Sequence, residues 1–412
     1  MSNNLLTISK ITNEALMVLE NELTFTNNVT REYDDQFAVT GAKIGNTLNV
    51  RRPGRFIGTT GPALNVEDFN ETSVPVTLTT QFHVDTQFTS QDLALSLDAF
   101  SDRILKPAIA AIANKMDYDG LTMAKNNVAN IVGTAGTPPT GLITYLTGQA
   151  YLDSEGAPRD GRRSIVIEPF TSATIVDSLK GLFVPSDVIG KQFTKGMMGR
   201  DSAGANWYMD QNVVSQTFGS YSGKTLSVAT DSASFGIATG WAQTSTITLV
   251  ASQALTLNQG DVIQIAGVYG VNPQNRQNYG KLRNFVVTAT TAVATGGGTS
   301  VIVSPAIITG GQFQNVVVTA TSSTAVVTPF NNTGTVSPQN LIFHKNFATV
   351  ATADLELPDG VHFAGRASDK DLGLSIRVVR QYTINNDSIP TRLDVLYGWA
   401  PLYPELACRV AA

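Results

Sequence analysis

A single cysteine, Cys408, is all the thiol chemistry in this sequence, so neither a disulfide framework nor a thiolate metal centre can form within the chain. Histidine is nearly as scarce. His83, His344 and His362 lie on separate segments, and no His-x-x-x-His, Glu-x-x-His or Cys-x-x-Cys spacing occurs, which argues against a zinc or non-haem iron site. Charged residues make up 15%, against about a quarter in ordinary globular proteins. Such a surface suits a protein covered by neighbouring subunits, or a Thr/Ser/Asn-rich β-protein that dissolves on neutral polar groups. The mild net charge of −5 argues against a nucleic-acid-binding surface held by phosphate contacts, which would want basic clusters. No window reaches the eighteen or so apolar residues of a membrane span, and the amphipathic start MSNNLLTISKITNEALMVLENEL lacks the continuous apolar core of a signal peptide.

Catalytic motifs are missing too. Gly196-Met197-Met198-Gly199 has no Gly-Lys-Ser/Thr ending and is not a phosphate loop. No Gly-x-Ser-x-Gly stands in a strand–turn–helix context. The carboxylate pairs Asp34/Asp35 and Glu67/Asp68 fall in polar loops, where solvation is the ordinary fate. The expectation is a protein that is not an enzyme.

What is present begins with helices. Leu5 to Leu23 reads as one, with Ile8, Ile11, Ala15, Leu16 and Leu19 on one side. The stretch Thr89 to Asn130 is the only long one with a clear helical pattern: Ile104, Ala108, Ile112 and Met116 recur at four-residue spacing, flanked by Leu105, Ile109 and Ala113. Pro107 fits only in a first turn, which places the straight part at Pro107–Lys125. Asp117-Tyr118-Asp119-Gly120 lacks the remaining ligands of a calcium loop and reads as a solvated helix face.

Between the helices the period changes. Thr47–Arg51 and Val74–Phe88 alternate, and between them lies the polar, glycine-bearing RRPGRFIGTTGPALNVEDFNET. The simplest structure is a long two-stranded arm with a large tip, which is marginal alone in water and makes sense under a neighbouring subunit. Arg51, Arg52 and Arg55 before the tip and Glu67, Asp68 and Glu71 after it are candidates for contacts between subunits; a solvated loop of both signs is the alternative. After a linker at Gly133–Pro139, Ser164–Ile167 reads as a buried strand and Phe170–Leu182 as a helix.

From Thr225 to about Pro338 Thr, Val, Ala and Gly dominate, and Asn284–Phe343 contains no Asp, Glu, Lys or Arg. Strands are expected at Ser245–Val250, Val262–Ala266, Asn284–Ala289, Ser300–Val303, Asn315–Thr319 and Thr324–Val327, separated by turns such as Asn258-Gln259-Gly260-Asp261. Short strands so spaced build a small sandwich or barrel. Strands then return at Asn340–Val350, Ser375–Thr383 and Arg392–Trp399, before an aromatic closing segment, Tyr397–Glu405. The flanks resemble each other more than the insert, so a domain is inserted into a discontinuous host.

The order of these parts resembles the major capsid protein of tailed phages, of the Hong Kong 97 type, and specifically the coat-protein family of the short-tailed Salmonella phage. The residues carrying the resemblance are Thr47-Leu48-Asn49-Val50-Arg51-Arg52-Pro53, then Asp102-Arg103-Ile104-Leu105-Lys106-Pro107-Ala108 with Ala113-Asn114 and Asp117. Gly260 to Val268 in the insert, Leu396-Tyr397-Gly398-Trp399 and Arg409-Val410 add to them. It implies an α+β fold with an N-terminal arm (1–35), an extended β-hairpin (36–82), a peripheral domain with the spine helix (83–140), an axial domain (141–224), an inserted β-barrel (225–338) and a return through axial and peripheral domains (339–412). It implies a structural subunit without cofactor, assembled with its own copies in hexamers and pentamers, in the bacterial cytoplasm, on a scaffolding protein and with a portal. The product is a virion capsid, free of membrane, around double-stranded DNA that is not read by sequence; a decoration protein is a further partner some relatives take. Insertion domains of that family stabilise their own subunit and contact neighbours across local symmetry axes; Asp231, Asp261, Arg276, Lys281 and Arg283 hold nearly all the charge of this insert and are its salt-bridge candidates. The insert alone would equally suit a β-rich virion decoration or adhesion protein, which has no need of the spine helix and arm.

Overall fold

The computed structural model describes residues 8–34, 47–67, 71–89, 106–179, 204–229, 235–320, 325–331, 334–369 and 373–412. The chain forms two units: residues 1–50, 74–120 and 348–400 make the first, and 51–73, 121–347 and 401–412 the second.

In the first unit the helix Ile8–Glu22 buries Thr12, Ala15, Leu16 and Leu19 against the strands Phe363–Asp369 and Leu374–Arg380. These belong to a six-stranded sheet ordered Thr30–Asp34, Ala348–Ala353, Ser388–Pro401, Leu374–Arg380, Phe363–Asp369, with Thr80–Thr89 also paired to Ser388–Pro401. Thr30–Asp34 runs parallel to its neighbour, whereas Leu374–Arg380 pairs antiparallel with Phe363–Asp369 and with Ser388–Pro401, as Thr80–Thr89 does with Ser388–Pro401. The alternating run Val74–Phe88 is two strands rather than one. Thr72–Thr77 pairs with the arm strand Thr47–Arg52, and Thr80–Thr89 changes partner to the sheet, from Thr80 opposite Tyr397 to Thr89 opposite Ser388. At the changeover a Cβ on Gly398 would lie 2.2 Å from the Thr77 carbonyl oxygen, so only glycine lets the two backbones approach.

The long helix spans Lys106–Asn127 with Pro107 in its first turn, where the missing N–H costs no intrahelical bond. Its stripe is buried at Ala108, Ile109, Ile112, Ala113 and Met116; Ile104 and Leu105 fall outside the described residues. Asp117 overturns the expectation of a solvated face. It is 2% exposed, and its carboxylate accepts from Thr24 N (2.8 Å), Phe25 N (3.1 Å), Thr26 N (2.9 Å) and Thr26 Oγ1 (2.6 Å). The donors belong to a short 3-10 turn, Thr26–Asn28, and the residues leading into it, whose N–H groups have no partner within the turn. The carboxylate supplies what the backbone lacks, and its own burial makes the bonds obligatory. Beside it, Gly120 leaves room for Phe25 and Trp399, whose ring centroids are 5.5 Å apart; a Cβ there would lie 2.6 Å from Trp399 and 2.7 Å from Phe25.

In the second unit a six-stranded sheet runs in the order Ile131–Gly133, Ala407–Ala411, Val336–His344, Arg163–Ile167, Asn206–Met209, and Ser215–Thr217 pairs with the start of Val336–His344. The expected strand Ser164–Ile167 is buried along its whole length. Helix Leu142–Ser154 packs on this sheet, and Tyr145, Leu152, Ile165, Ile167, Trp207, Ile342, Cys408 and Val410 share one core. The helix expected at Phe170–Leu182 is found at Pro169–Leu179.

The insert is a closed antiparallel barrel. Its strands run Leu226–Val228, Ser245–Ala251, Thr299–Ser304, Asn278–Val287, Val262–Val271 and Val326–Pro329 around the ring, the last pairing with the first, and Val316–Val318 adds to Val262–Val271. Alternation puts Ile247, Leu249, Ile263, Ile265, Phe285, Val287, Val301, Val303 and Val327 inside, and closure leaves few strand edges to attract another chain.

Two outcomes are expected. Asp117→Ala should cost about 3–5 kcal/mol in urea denaturation and Asp117→Asn roughly half as much; a loss under about 1 kcal/mol would show that Thr24–Thr26 has other partners. Cys408 is fully buried, which pushes its thiol upward in pKa, so a thiol reagent should label it only on unfolding, at one thiol per chain.

Candidate assembly surfaces

The arm's charges fall into two groups. Arg51 lies 3.6 Å from Glu71, and both are exposed; Glu67 accepts from the backbone N–H of Ile57 (2.7 Å) and Gly58 (2.6 Å). Both contacts tie the tip to itself, and Gly58, at φ +72°, takes a turn that other residues resist. Arg52 is largely withdrawn from solvent and Arg55 half-buried, and both reach Glu405, at 3.5 and 3.3 Å. Arg52 also lies over the ring of Tyr403 at 4.1 Å and that of Trp241 at 5.3 Å. Asp68 is outside the described residues. The tip leaves Phe56, Ile57, Leu64 and Val66 exposed, Leu64 at 91%, far more apolar surface than a solvated loop needs.

The charges of the insert hold the barrel to its host. Arg283, on the strand Asn278–Val287, forms a buried ion pair with Glu155 at the end of helix Leu142–Ser154, and Tyr279 Oη donates to the same carboxylate at 3.2 Å. Burial pushes the Glu155 carboxyl upward against the pull of Arg283; the guanidinium's own burial is outweighed by Glu155 and Tyr279, which hold it charged. Lys281 Nζ sits 5.3 Å from the Tyr151 ring. Asp261, in the expected turn, accepts from Asn258 N (2.8 Å), Gln216 Nε2 (3.1 Å), Gly219 N (3.3 Å) and Tyr221 Oη. Near it, Arg409 Nη1 donates to Gly260 O at 2.9 Å. Burial lowers Arg409 to about 10, with Asp261 opposing, and burial together with Arg409 lowers Lys125. Arg276, at φ +55°, donates to Phe56 O (3.3 Å) and Gln312 O (3.4 Å). Asp231 is outside the described residues. Among the described residues these charges pair with the host and the arm rather than with one another.

Sequence reasoning passed over Glu155, Trp241, Tyr403 and Glu405. Tyr403 and Glu405 lay in the aromatic closing segment, whose composition was a signal; Glu155 and Trp241 stand in loops or helix ends with no local pattern around them. Among the described residues no group of three or more His, Cys, Asp or Glu is placed to hold a metal ion, and no helix is long and apolar enough to cross a membrane.

A family model described as P22 coat protein, gene protein 5, matches residues 1–409. The chain belongs to the P22 coat-protein family. It is a structural major capsid protein of a tailed phage, and its described elements form an α+β fold with a closed barrel inserted. A direct search among curated proteins returns no match. Solved structures similar to this coat protein include the capsid of Ralstonia phage GP4, at 7% identity and a TM-score of 0.48, covering 95% of this chain and 88% of that one. The capsid of cyanophage P-SCSP1u has 11% identity and a TM-score of 0.44 over 95% and 88%. A virus-like particle from Pyrococcus furiosus has 7% and 0.39 over 98% of both chains. The family assignment rests on the sequence match. It displaces the decoration or adhesion reading, and the family is one of structural proteins rather than enzymes.

The buried pair in this coat protein has a testable signature. Glu155→Leu or Arg283→Met alone should each cost about 3–5 kcal/mol, because each strands one desolvated charge, while the double variant should cost less than either. Equilibrium denaturation of the four chains measures it; losses that simply add would refute the coupling.

Proposed function

We propose that this coat protein assembles with its own copies, as hexamers and pentamers, on a scaffolding protein and around a portal, into an icosahedral head that encloses double-stranded DNA without reading its sequence. Assembly takes place in the bacterial cytoplasm. In this reading the six segments from the N-terminal arm (1–35) to the axial and peripheral return (339–412) act as the arm, hairpin, spine, axial and inserted domains of such a subunit.

The observation that carries the reading is the family match over nearly the whole chain. Its surface supports it. Leu64 and Val66 at the arm tip, Ile143 and Phe170 on helices of the second unit, and Ile384 in a turn of the first are large apolar side chains left exposed, as surfaces awaiting partners are. The low charge content removes the repulsion that keeps monomers apart.

The chain, expressed with and without a candidate scaffold, should give closed shells, tubes or spirals by negative-stain electron microscopy. Leu64→Asp with Val66→Asp should suppress them while changing the stability of the free chain by less than about 0.5 kcal/mol, as surface substitutions do. A monodisperse monomer or trimer at high concentration, even with scaffold, would overturn the reading.

A further inference from the structure

The arm's root has a binding site of its own. Arg52 ends the strand Thr47–Arg52 and is only 10% exposed. Its guanidinium lies 4.1 Å from the Tyr403 ring and 5.3 Å from the Trp241 ring, with Glu405 at 3.5 Å. The same carboxylate oxygen takes Arg55 at 3.3 Å. Trp241 comes from the loop before the barrel strand Ser245–Ala251, and Tyr403 and Glu405 from the closing segment. Two stretches far apart in sequence therefore converge on one side chain of a third, and together they line a partly open cavity of about 90 Å³.

We propose that Trp241, Tyr403 and Glu405 form an arginine cage that binds Arg52 and Arg55 of the same chain, and so orders the arm tip on the inserted barrel before any second copy arrives. The chemistry selects a guanidinium. A flat delocalised cation stacks on aromatic faces while its edge meets a carboxylate, and a compact, strongly hydrated ammonium fits that combination less well. An exposed ion pair would hold little; one stacked and withdrawn from water holds considerably more. A second contact continues the seam: Arg276 of the barrel bridges Phe56 O and Gln312 O. Beyond it, Ile57, Glu67 and Thr72 of the tip face Thr239, Trp241 and Gln312 across a shared cavity. Ordering the tip in advance lowers the entropy that a partner must otherwise supply on docking. That consequence rests on the assembly reading above, whereas the cage is a property of the single chain.

The test uses the full, unassembled chain carrying Ile57→Cys and Gln312→Cys, treated with a short bis-maleimide. Buried Cys408 stays silent and doubles as a folding reporter, so only chains in which it remains unlabelled are scored. Mass spectrometry should find one intrachain link between positions 57 and 312. Adding Arg52→Ala should lower the linked fraction about tenfold, the order expected for losing a desolvated cation–π contact with its ion pair, and Arg52→Lys should fall between. Links only between chains, no link at all, or a yield indifferent to Arg52→Ala would overturn the cage. Because the readout needs no shell, a chain that never assembles would refute the proposed function and leave this result standing.

Discussion

A charge inside a protein must be matched or it costs more than most contacts return, and this chain buries many of the few it has. Asp117, Glu155, Arg163, Asp261, Arg283, Asp354, Asp394 and Arg409 are all nearly inaccessible. Some of their partners are close in sequence, as where Asp394 takes Arg377 at 2.6 Å, and others stand far off: Asp117 holds the backbone of Thr24–Thr26, and Glu155 takes Arg283. Apolar packing fills the barrel and the layers but is tolerant of small rearrangements. The matched charges are less forgiving. They set how the barrel seats on its host, because a slip at that joint would strand Arg283 and Glu155 together.

How an uninterrupted barrel can sit inside another domain follows from its connections. The first and last barrel strands, Leu226–Val228 and Val326–Pro329, pair antiparallel, and the segments that enter and leave, Ser215–Thr217 and Val336–Pro338, pair antiparallel as well. The chain therefore departs from the host and returns to it side by side, and the host sheet loses no register. Val336–His344 goes on from this ladder to pair with Ala407–Ala411 and Arg163–Ile167. Asp261 and Gly260 then lock the junction from the barrel side, with Gln216 and Arg409 from the host.

What the sequence made legible is what local period encodes. The barrel strands could be placed because Ser245–Ala251 alternates buried and open positions and polar turns separate the runs. The long helix could be placed because its apolar stripe repeats and Pro107 fixes its start. The same local logic misread Asp117, since a carboxylate on a helix is ordinarily solvated and nothing nearby announces that a 3-10 turn some ninety residues away needs an acceptor. It also fused two strands in Val74–Phe88, because alternation reports the face of a strand and is silent about a change of partner. Of the candidate site residues, Arg52 and Arg55 read as contacts between subunits, yet they pair within the chain with Glu405, and neither that acceptor nor Glu155 opposite Arg283 is signalled in the sequence. A pair separated by 353 positions, as Arg52 and Glu405 are, leaves no mark on periodicity.

The low charge content acquires a sharper meaning from this. Charged residues are 15% of the chain, and some of them, Glu155 and Arg283 among them, are withdrawn from the surface altogether. The barrel takes this furthest, with Asn284–Phe343 wholly uncharged and Ile302 and Val326 left open on its outer strands. A free-living monomer with such a surface would rely on neutral hydroxyls and amides to stay apart from its copies. A coat subunit has the opposite need. Its buried charges fix one conformation of the chain, and the partly apolar exterior is left for association with other subunits. Geometry is then set within the subunit, and assembly can proceed on weak, reversible contacts between many identical surfaces.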